Sequence, residues 1–295
     1  MLELNNYYIQ KVENLTDLFT IIFTIVDDIY NDIIPISIRN RRNIKDSKLC
    51  DSETISIVGE LLTIDSEKAF FSLLSREYSK LFPKLGDRTR FNRTKRNLHS
   101  VINEIREYIS LYIQSYSNNI RVIDSMPIPV CEFGRAHFSK CFKGEASYGV
   151  CPSKKQTYFG FKFHALTTID GFLTDYVITP ANVDDRNAVW DLCDKYNSIS
   201  IIGDKGYINK RLTPELKTEK DINLLFLKRG NSKDNYPKQI RQLIFKVRRR
   251  IETSFSQLTE QLNLNKVKSK SMLGFITRIS IKVLGHNISF LINKL

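Results

Sequence analysis

The stretch Arg121-Val122-Ile123-Asp124-Ser125-Met126-Pro127 reads as a buried β-strand that carries one carboxylate. Its apolar and β-branched residues favour a strand, and we expect Pro127 to end it because proline cannot donate to a sheet. A second carboxylate, Asp204, ends another apolar run, and Glu252 lies in a segment with helical periodicity. Divalent cations such as Mg²⁺ prefer oxygen ligands, so three acids from three separate elements indicate a metal site.

Composition and charge restrict the partner of such a site. The chain has 295 residues, of which 42% are hydrophobic, so it is long enough to bury a substantial core. Its 45 Lys and Arg against 32 Asp and Glu give a net charge of +13. A surface of that sign favours nucleic-acid phosphate as the partner, and the alternative is a basic protein whose charges only face solvent.

Cysteine usage and hydropathy indicate where the protein acts. Five cysteines without paired spacing predict a reducing compartment rather than a disulfide framework. The apolar run Leu18–Val26 is closed by Asp27 and Asp28, and we identify no membrane-length stretch of about 20 apolar residues and no signal peptide. The sequence therefore predicts a cytoplasmic protein without a membrane partner.

The first 115 residues have the pattern of an all-helical region. Apolar residues recur at helical spacing from Leu18 to Ile29, and capping residues at 51–52 and 65–66 precede two short helices. That pair is compatible with a helix-turn-helix motif or with simple packing units. A further helix begins with five cations that we expect to contact DNA, the alternative being a solvated face; they are Arg88, Arg90, Arg93, Lys95 and Arg96.

From Ile120 the pattern changes to strands. Asp170-Gly171 between two strand-like runs predicts a β-hairpin. Short strands are also expected at 199–203 and 224–227, with a long helix over 238–262. This order predicts an α/β domain with a mixed sheet flanked by helices over residues 116–295, preceded by an all-helical DNA-binding region over residues 1–115.

Five motifs of this chain together resemble those of the DDE transposases of bacterial insertion sequences, and the nearest group is the insertion sequence 982 family. They are Asp124-Ser125-Met126-Pro127, Gly160-Phe161-Lys162-Phe163-His164, Thr179-Pro180-Ala181-Asn182-Val183-Asp184-Asp185, Gly203-Asp204-Lys205-Gly206-Tyr207 and Arg249-Arg250-Ile251-Glu252-Thr253-Ser254-Phe255. The resemblance covers most of the chain, because the helical front with its basic cluster is also similar. A related group carries Tyr, Arg and Lys around its Glu; here Arg248 matches, whereas Phe245 and Thr259 do not.

The resemblance implies an RNase H-like catalytic fold in which Asp124, Asp204 and Glu252 are the catalytic residues and hold two Mg²⁺ or Mn²⁺ ions. It implies cleavage at transposon ends, followed by attack of the freed 3′-OH on target DNA in the same site. The partner would be double-stranded DNA from transposon ends and target. Two ends must be joined, so a homo-oligomer is expected, associated with the bacterial nucleoid when bound to DNA.

Four residues beside the acids are further candidates for DNA contact. Lys205 and Tyr207 follow Asp204 and are expected to touch phosphates or stack on bases, or else to be exposed loop residues. Arg248 and Arg249 lie four and three residues before Glu252, so each can pair with that carboxylate or bind a DNA phosphate.

Other residues and functions remain as alternatives. Cys131, His137, Cys141 and Cys151 could bind zinc, but their spacing lacks a Cys-x-x-Cys knuckle. We expect His164 to be a hydrogen-bonded structural residue, although strand geometry would also let it face the site. We expect Asn182, Asp184 and Asp185 to be turn or cap residues, the alternative being a supporting role beside the metal ligands. A metal-dependent nuclease or resolvase of the same fold, and a catalytically silent DNA-binding protein derived from a transposase, are the alternative functions.

Overall fold

The computed structural model describes residues 12, 14–33, 46–115, 118–131, 133–151, 155–207, 209, 211–226 and 236–294. The chain divides into two compact units. The helical unit contains Met1–Tyr112 together with Glu260–Leu295, and the sheet unit contains Ile113–Thr259. We predicted a division into 1–115 and 116–295; the packing instead groups the C-terminal segment with the N-terminal helices.

The helical unit is built from amphipathic helices around a shared core. Leu18, Ile22 and Val26 of the first helix are fully buried, as their spacing predicts. Ser66 caps the third helix by accepting a hydrogen bond from the amide of Ala69, as expected from the sequence. The helices are α1 Leu15–Ile33, α2 Asp46–Leu61, α3 Glu67–Glu77, α4 Arg88–Asn97, α5 His99–Ser115 and α10 Met272–Lys294.

Helix α10 is a core helix of this unit, although its segment Met272–Asn293 has the length and composition of a membrane span. We had expected no stretch of this length and composition. However, 78% of its most apolar window is buried inside the protein. The buried Lys282 of α10 donates hydrogen bonds to the carboxylate of Glu60 and to the carbonyl of Leu262. Arg278 adds a second cation 3.1 Å from the same carboxylate, which anchors α10 to α2.

Glu53 of α2 is a buried carboxyl for which the described residues offer no hydrogen-bond partner, and it is 1% exposed. Burial raises the pKa of Glu53 to about 8. Between its ordinary value of 4.5 and about 8, the folded protein binds more protons than the unfolded chain, so stability falls as pH rises. We therefore predict that Glu53→Gln raises the free energy of unfolding by roughly 2–5 kcal/mol near pH 9 and changes it little near pH 4.

Urea denaturation at both pH values measures this effect, with Glu104→Gln, an exposed position in the same unit, as the matched control. Equal stabilisation at both pH values would contradict the assignment of a buried, ionisable Glu53.

The sheet unit contains a mixed six-stranded sheet within the described residues. The sequence patterns predicted five of these strands, whereas the strand Ser147–Cys151 was not predicted. Strand β3 pairs antiparallel with β1, β2 and β4, whereas β1–β5 and β5–β6 are parallel pairs. The predicted hairpin at Asp170-Gly171 is confirmed as the β3–β4 connection. The strands are β1 Ile120–Cys131, β2 Ser147–Cys151, β3 Gln156–Thr168, β4 Leu173–Pro180, β5 Ser200–Gly203 and β6 Asn223–Phe226.

Helices cover the sheet. A buried apolar cluster joins β5 and β6 to α7 and α8 through Ile201, Leu192 and Leu216, with Ile123 of β1 in the same cluster. Helix α9 packs against Ile202 of β5 through Ile244, and the ring of its Phe255 lies 6.2 Å from that of Phe163 on β3. The helices are α6 Phe133–Ala136, α7 Ala188–Cys193, α8 Leu212–Lys220 and α9 Lys238–Ser256, where we had predicted one helix to residue 262.

Strand β1 does not end at Pro127 as we expected. It continues to Cys131 because Pro127 and Pro129 still pair with Lys162 and Gly160 of β3, with an irregularity in the register between Pro129 and Cys131. At that point the two backbones approach unusually closely: a Cβ added to Gly160 would lie 2.2 Å from the carbonyl oxygen of Ile128. Only glycine fits here, which explains its place in the sequence motif.

We predict that Gly160→Ala lowers the free energy of unfolding by roughly 1–3 kcal/mol, because the backbone of β1 must move to make room. Gly134→Ala is the matched control, since an added Cβ there meets no atom within 4 Å. Thermal or urea denaturation of both variants tests the prediction, and equal stability of the two would contradict this close approach.

Candidate active site

The parallel pairing of β1 and β5 brings Asp124 and Asp204 to the same level of the sheet. Val122 is opposite Ile202, so Asp124 and Asp204 each lie two residues beyond this pair. Side chains two residues apart share a face of a strand, and neighbouring strands are about 4.8 Å apart. The two carboxylates therefore lie side by side, Asp124 within β1 and Asp204 directly after the end of β5.

Glu252 reaches the same place from α9, whose position is fixed by the β3–β4 turn. The hydroxyl of Ser254 donates a hydrogen bond of 2.7 Å to the carbonyl of Gly171. Gly171 has φ +98°, and a Cβ there would lie 2.9 Å from the Ser254 oxygen, so the turn needs glycine at this point. Sequence reasoning identified the turn but not its role in holding the helix that carries Glu252.

Arg248 lies between the three acids. One of its terminal guanidinium nitrogen atoms is 3.6 Å from Asp124 and 4.0 Å from Glu252, and the other is 3.5 Å from Asp204. The three carboxylates thus share one cation. They lie within about 10 Å of one another, and a larger separation would rule out a shared two-metal site. Arg248 is only 13% exposed, so in this conformation it pairs with all three acids rather than facing solvent.

The charge balance of this cluster fits a divalent cation. Burial raises the pKa of Asp124 to about 6; the Ser125 amide and Arg248 lower this pKa, whereas Asp204 and Glu252 raise it. Three carboxylates surround the guanidinium of Arg248, and an all-oxygen donor set suits Mg²⁺ or Mn²⁺. Within the described ranges, however, no three His, Cys, Asp or Glu side chains already stand at metal-binding separations, so the acids would have to close around an ion.

A polar network lies next to Asp124 on β1, and it contains Asp185, for which a supporting role was the alternative to a turn or cap. The Ser125 hydroxyl donates a 3.1 Å hydrogen bond to Asp185, which also accepts a 2.8 Å bond from Lys162. His164 is fully buried and bonded to Thr179, as expected of a structural histidine, and burial lowers its pKa to about 4. Asp185 is therefore not a helix cap: it ties the strand of Asp124 to β3, a long-range contact that sequence alone does not reveal.

The residues following Asp204 are placed differently from our expectation. Tyr207 is 2% exposed and packs in the apolar cluster with Ile123, so it does not present its ring to a base. Burial, with the charge of Asp185, raises the pKa of the Tyr207 hydroxyl well above its usual range. The side chain of Lys205 lies outside the described part of the structure. Arg249 is exposed on α9 and remains a predicted contact with DNA phosphate.

The basic helix α4 is only partly available to DNA. Lys95 pairs with Glu67 at 3.0 Å and is 12% exposed, so it is a structural cation rather than a surface one. Arg88 is half exposed and lies 3.6 Å from the same carboxylate. Arg90 and Arg93 are exposed and Arg96 is half-buried, and these three have the accessibility that a phosphate contact needs.

The zinc alternative finds no support in the described residues. Cys131, Cys141 and Cys151 are half-buried and His137 is exposed, and these side chains form no metal-binding group within the described ranges.

This chain is similar to a known protein family and to a solved structure. Residues 114–272 match the family described as Transposase DDE domain. The fold is similar to that of a piggyBac transposase in a synaptic complex with hairpin DNA, with a TM-score of 0.50, 12% sequence identity, and coverage of 94% of this chain and 72% of that chain. This likeness supports the predicted RNase H-like fold, and the comparison with curated proteins found no match. Because the matched family spans more than half of the sequence, the chain belongs to the transposase DDE domain family.

Proposed function

We propose that this DNA transposase cleaves transposon ends and joins the freed 3′-OH to target DNA, with Asp124, Asp204 and Glu252 as the catalytic residues. The observation that supports this proposal is the convergence of the three carboxylates on Arg248 within 4.0 Å. Carboxylates at strand ends often cap helices or form turns, but three of them from separate elements around one cation indicate a cation-binding centre.

We propose that the three carboxylates hold two Mg²⁺ or Mn²⁺ ions. Bound ions of this kind activate a nucleophile and stabilise the leaving oxygen of an in-line phosphodiester displacement. The protein supplies rigid placement of the ligands: the sheet register sets the two aspartates, and the Ser254–Gly171 bond sets Glu252. Asp185 and Lys162 position Ser125 and with it the neighbouring Asp124, so we assign them a positioning role.

DNA phosphate is the ligand proposed for the exposed cations. Arg90, Arg93 and Arg96 of α4, with the half-exposed Arg88, form a basic surface in the helical unit, and Arg249 lies three residues before Glu252. Phosphate contacts of this type position a protein on a duplex without reading its sequence. Arg248 would release its carboxylates when metal ions bind and could then reach a phosphate.

The assignment of the chain to one group of DDE transposases rests on the sequence motifs. The five motifs around the acids and strands support membership of the insertion sequence 982 family and a bacterial element. We further propose that the protein acts in the cytoplasm and as a homo-oligomer when it joins two DNA ends. The departures at Phe245 and Thr259 mean that DNA-end contacts of the related group are not carried over to these positions.

A strand-transfer assay with Mg²⁺ separates the candidate functions. The substrate is a labelled duplex bearing the element's own ends, mixed with a supercoiled target plasmid. Joined products support transposition, nicks without joining support a nuclease or resolvase, and binding without cleavage supports a catalytically silent protein. The same reactions with Asp204→Asn show whether any cleavage depends on the acids; cleavage that persists in this variant would contradict the proposed site.

A further inference from the structure

An exposed group of apolar side chains lies at one edge of the sheet unit, and we call it the aromatic edge. It consists of Phe133, Phe138, Tyr148 and Val150, whose exposed fractions are 54%, 83%, 47% and 63%. Apolar side chains with this exposure, when grouped, mark an interaction site more often than a random surface feature. None of these residues takes part in the site formed by the three acids.

Strand β2, which carries Tyr148 and Val150 of the aromatic edge, is joined to the core of the sheet unit. Tyr148 and Val150 lie on the same face of β2, which pairs only with β3 among the described residues. The ring of Tyr148 contacts two others: it is tilted by 55° to the buried Phe159, with centroids 5.0 Å apart, and lies edge-on to Phe133 at 5.7 Å. These contacts hold the rings of Tyr148 and Phe133 in place while about half of each residue stays exposed, and Phe138 is exposed further.

Cations are interleaved with these rings along the chain. Arg135, Lys140 and Lys143 are exposed within the same connection between β1 and β2, where Glu145 is also exposed. Aromatic rings next to exposed cations are the combination that binds single-stranded nucleic acid: bases stack on the rings while phosphates meet the cations.

We propose that the aromatic edge binds unpaired nucleotides of DNA, by stacking bases on Phe138 and Tyr148 while Lys140 and Lys143 contact the phosphates. The choice of DNA as the nucleic acid rests on the proposed function. Bases within a duplex are already stacked and cannot lie on these rings, so the ligand is the unpaired DNA that accompanies strand breakage.

Charge argues against a second copy of this chain as the occupant. A two-fold interface applies the same surface to both partners, so two surfaces on which Arg135, Lys140 and Lys143 outnumber Glu145 would repel each other. Lysines are also depleted at the centres of protein interfaces, whereas a nucleic-acid ligand is attracted by them.

Fluorescence anisotropy with labelled oligothymidylate tests the proposal in the full chain. The background is Asp124→Asn without divalent metal, so that no cleavage occurs during the titration. We expect Phe138→Ala and Tyr148→Ala each to weaken oligothymidylate binding by about tenfold or more, since stacking on each base contributes that much. Binding of a blunt duplex should change by less than about twofold, because duplex bases do not reach the rings.

Several variants separate the proposal from trivial explanations. Tyr112→Ala removes an exposed aromatic ring from the helical unit and should leave binding unchanged. Phe138→Trp keeps a stacking surface and should restore affinity. Lys140→Gln with Lys143→Gln should reduce the slope of log affinity against log salt by about 0.7 for each lysine that neutralises a phosphate.

The proposal would be overturned by unchanged oligothymidylate affinity in both alanine variants, or by a loss of self-association of these variants in sedimentation with DNA affinity preserved. RNA bound in preference to oligothymidylate through the same rings would also overturn it. The strand-transfer assay tests the proposed function separately. If that function is wrong, the assay will show no cleavage that depends on Asp204. Single-stranded binding and cleavage can therefore fail independently.

Discussion

Asp124→Asn will abolish DNA cleavage and strand transfer, with a fall in rate on the order of 10³-fold or more. The reason is that Asp124 is the most buried of the three acids and lies on the central strand, 3.6 Å from the shared cation. Asparagine keeps the shape of the side chain but removes its charge, so the fold is preserved while the metal ligand is lost. Product formation on labelled DNA ends, measured with Mg²⁺ and with Mn²⁺, reports the effect.

Asp191→Asn is the matched control, because Asp191 is exposed on α7 and takes no part in the cluster. The control should cleave at the wild-type rate, and Asp124→Asn should bind duplex DNA with wild-type affinity. Cleavage by Asp124→Asn within about tenfold of the wild type would exclude it as an essential ligand.

Arg248→Gln will strengthen divalent metal binding by about tenfold and destabilise the metal-free protein. The guanidinium of Arg248 forms an ion pair with each of the three acids. Its removal leaves three carboxylates repelling one another, which lowers the melting temperature in chelator by roughly 2–4 °C. The same removal eliminates the internal cation with which metal ions compete.

Arg249→Gln controls for the general loss of one positive charge, because Arg249 is the exposed neighbour on the same helix. Calorimetric titration with Mn²⁺ and thermal denaturation in chelator compare the two variants. Weaker Mn²⁺ binding by Arg248→Gln than by Arg249→Gln would show that Arg248 supports the metal-bound state instead of competing with it.

Local patterns in the sequence were sufficient to predict much of the sheet unit. The Asp-Gly turn predicted the β3–β4 hairpin, and the apolar run before Asp204 predicted β5. These features depend on residues close in the sequence, where turn chemistry and side-chain alternation act directly. The pairing of Val122 with Ile202, which brings the two aspartates side by side, joins distant segments and became visible only in the structure.

Predictions based on residue type alone failed where tertiary packing decides exposure. Tyr207 follows a strand end, which favours an exposed loop, but the apolar cluster around Ile123 buries it. Lys95 was one of five cations on a basic helix, but Glu67, remote in sequence, neutralises it. The apolar composition of α10 did not predict that the helix packs against α2. The two helices are joined by Glu60 and Lys282, which are 222 residues apart in the sequence.

The most direct test of a shared site for the three acids is the number of Mn²⁺ ions bound by the wild type and by the single variants Asp124→Asn, Asp204→Asn and Glu252→Gln. Electron paramagnetic resonance of free Mn²⁺ measures this number without any DNA or catalytic activity. We predict two ions in the wild type and weakened binding in every variant, with Glu215→Gln, an exposed position on α8, unchanged. Full Mn²⁺ binding in any one of the three variants would contradict a site held jointly by these carboxylates.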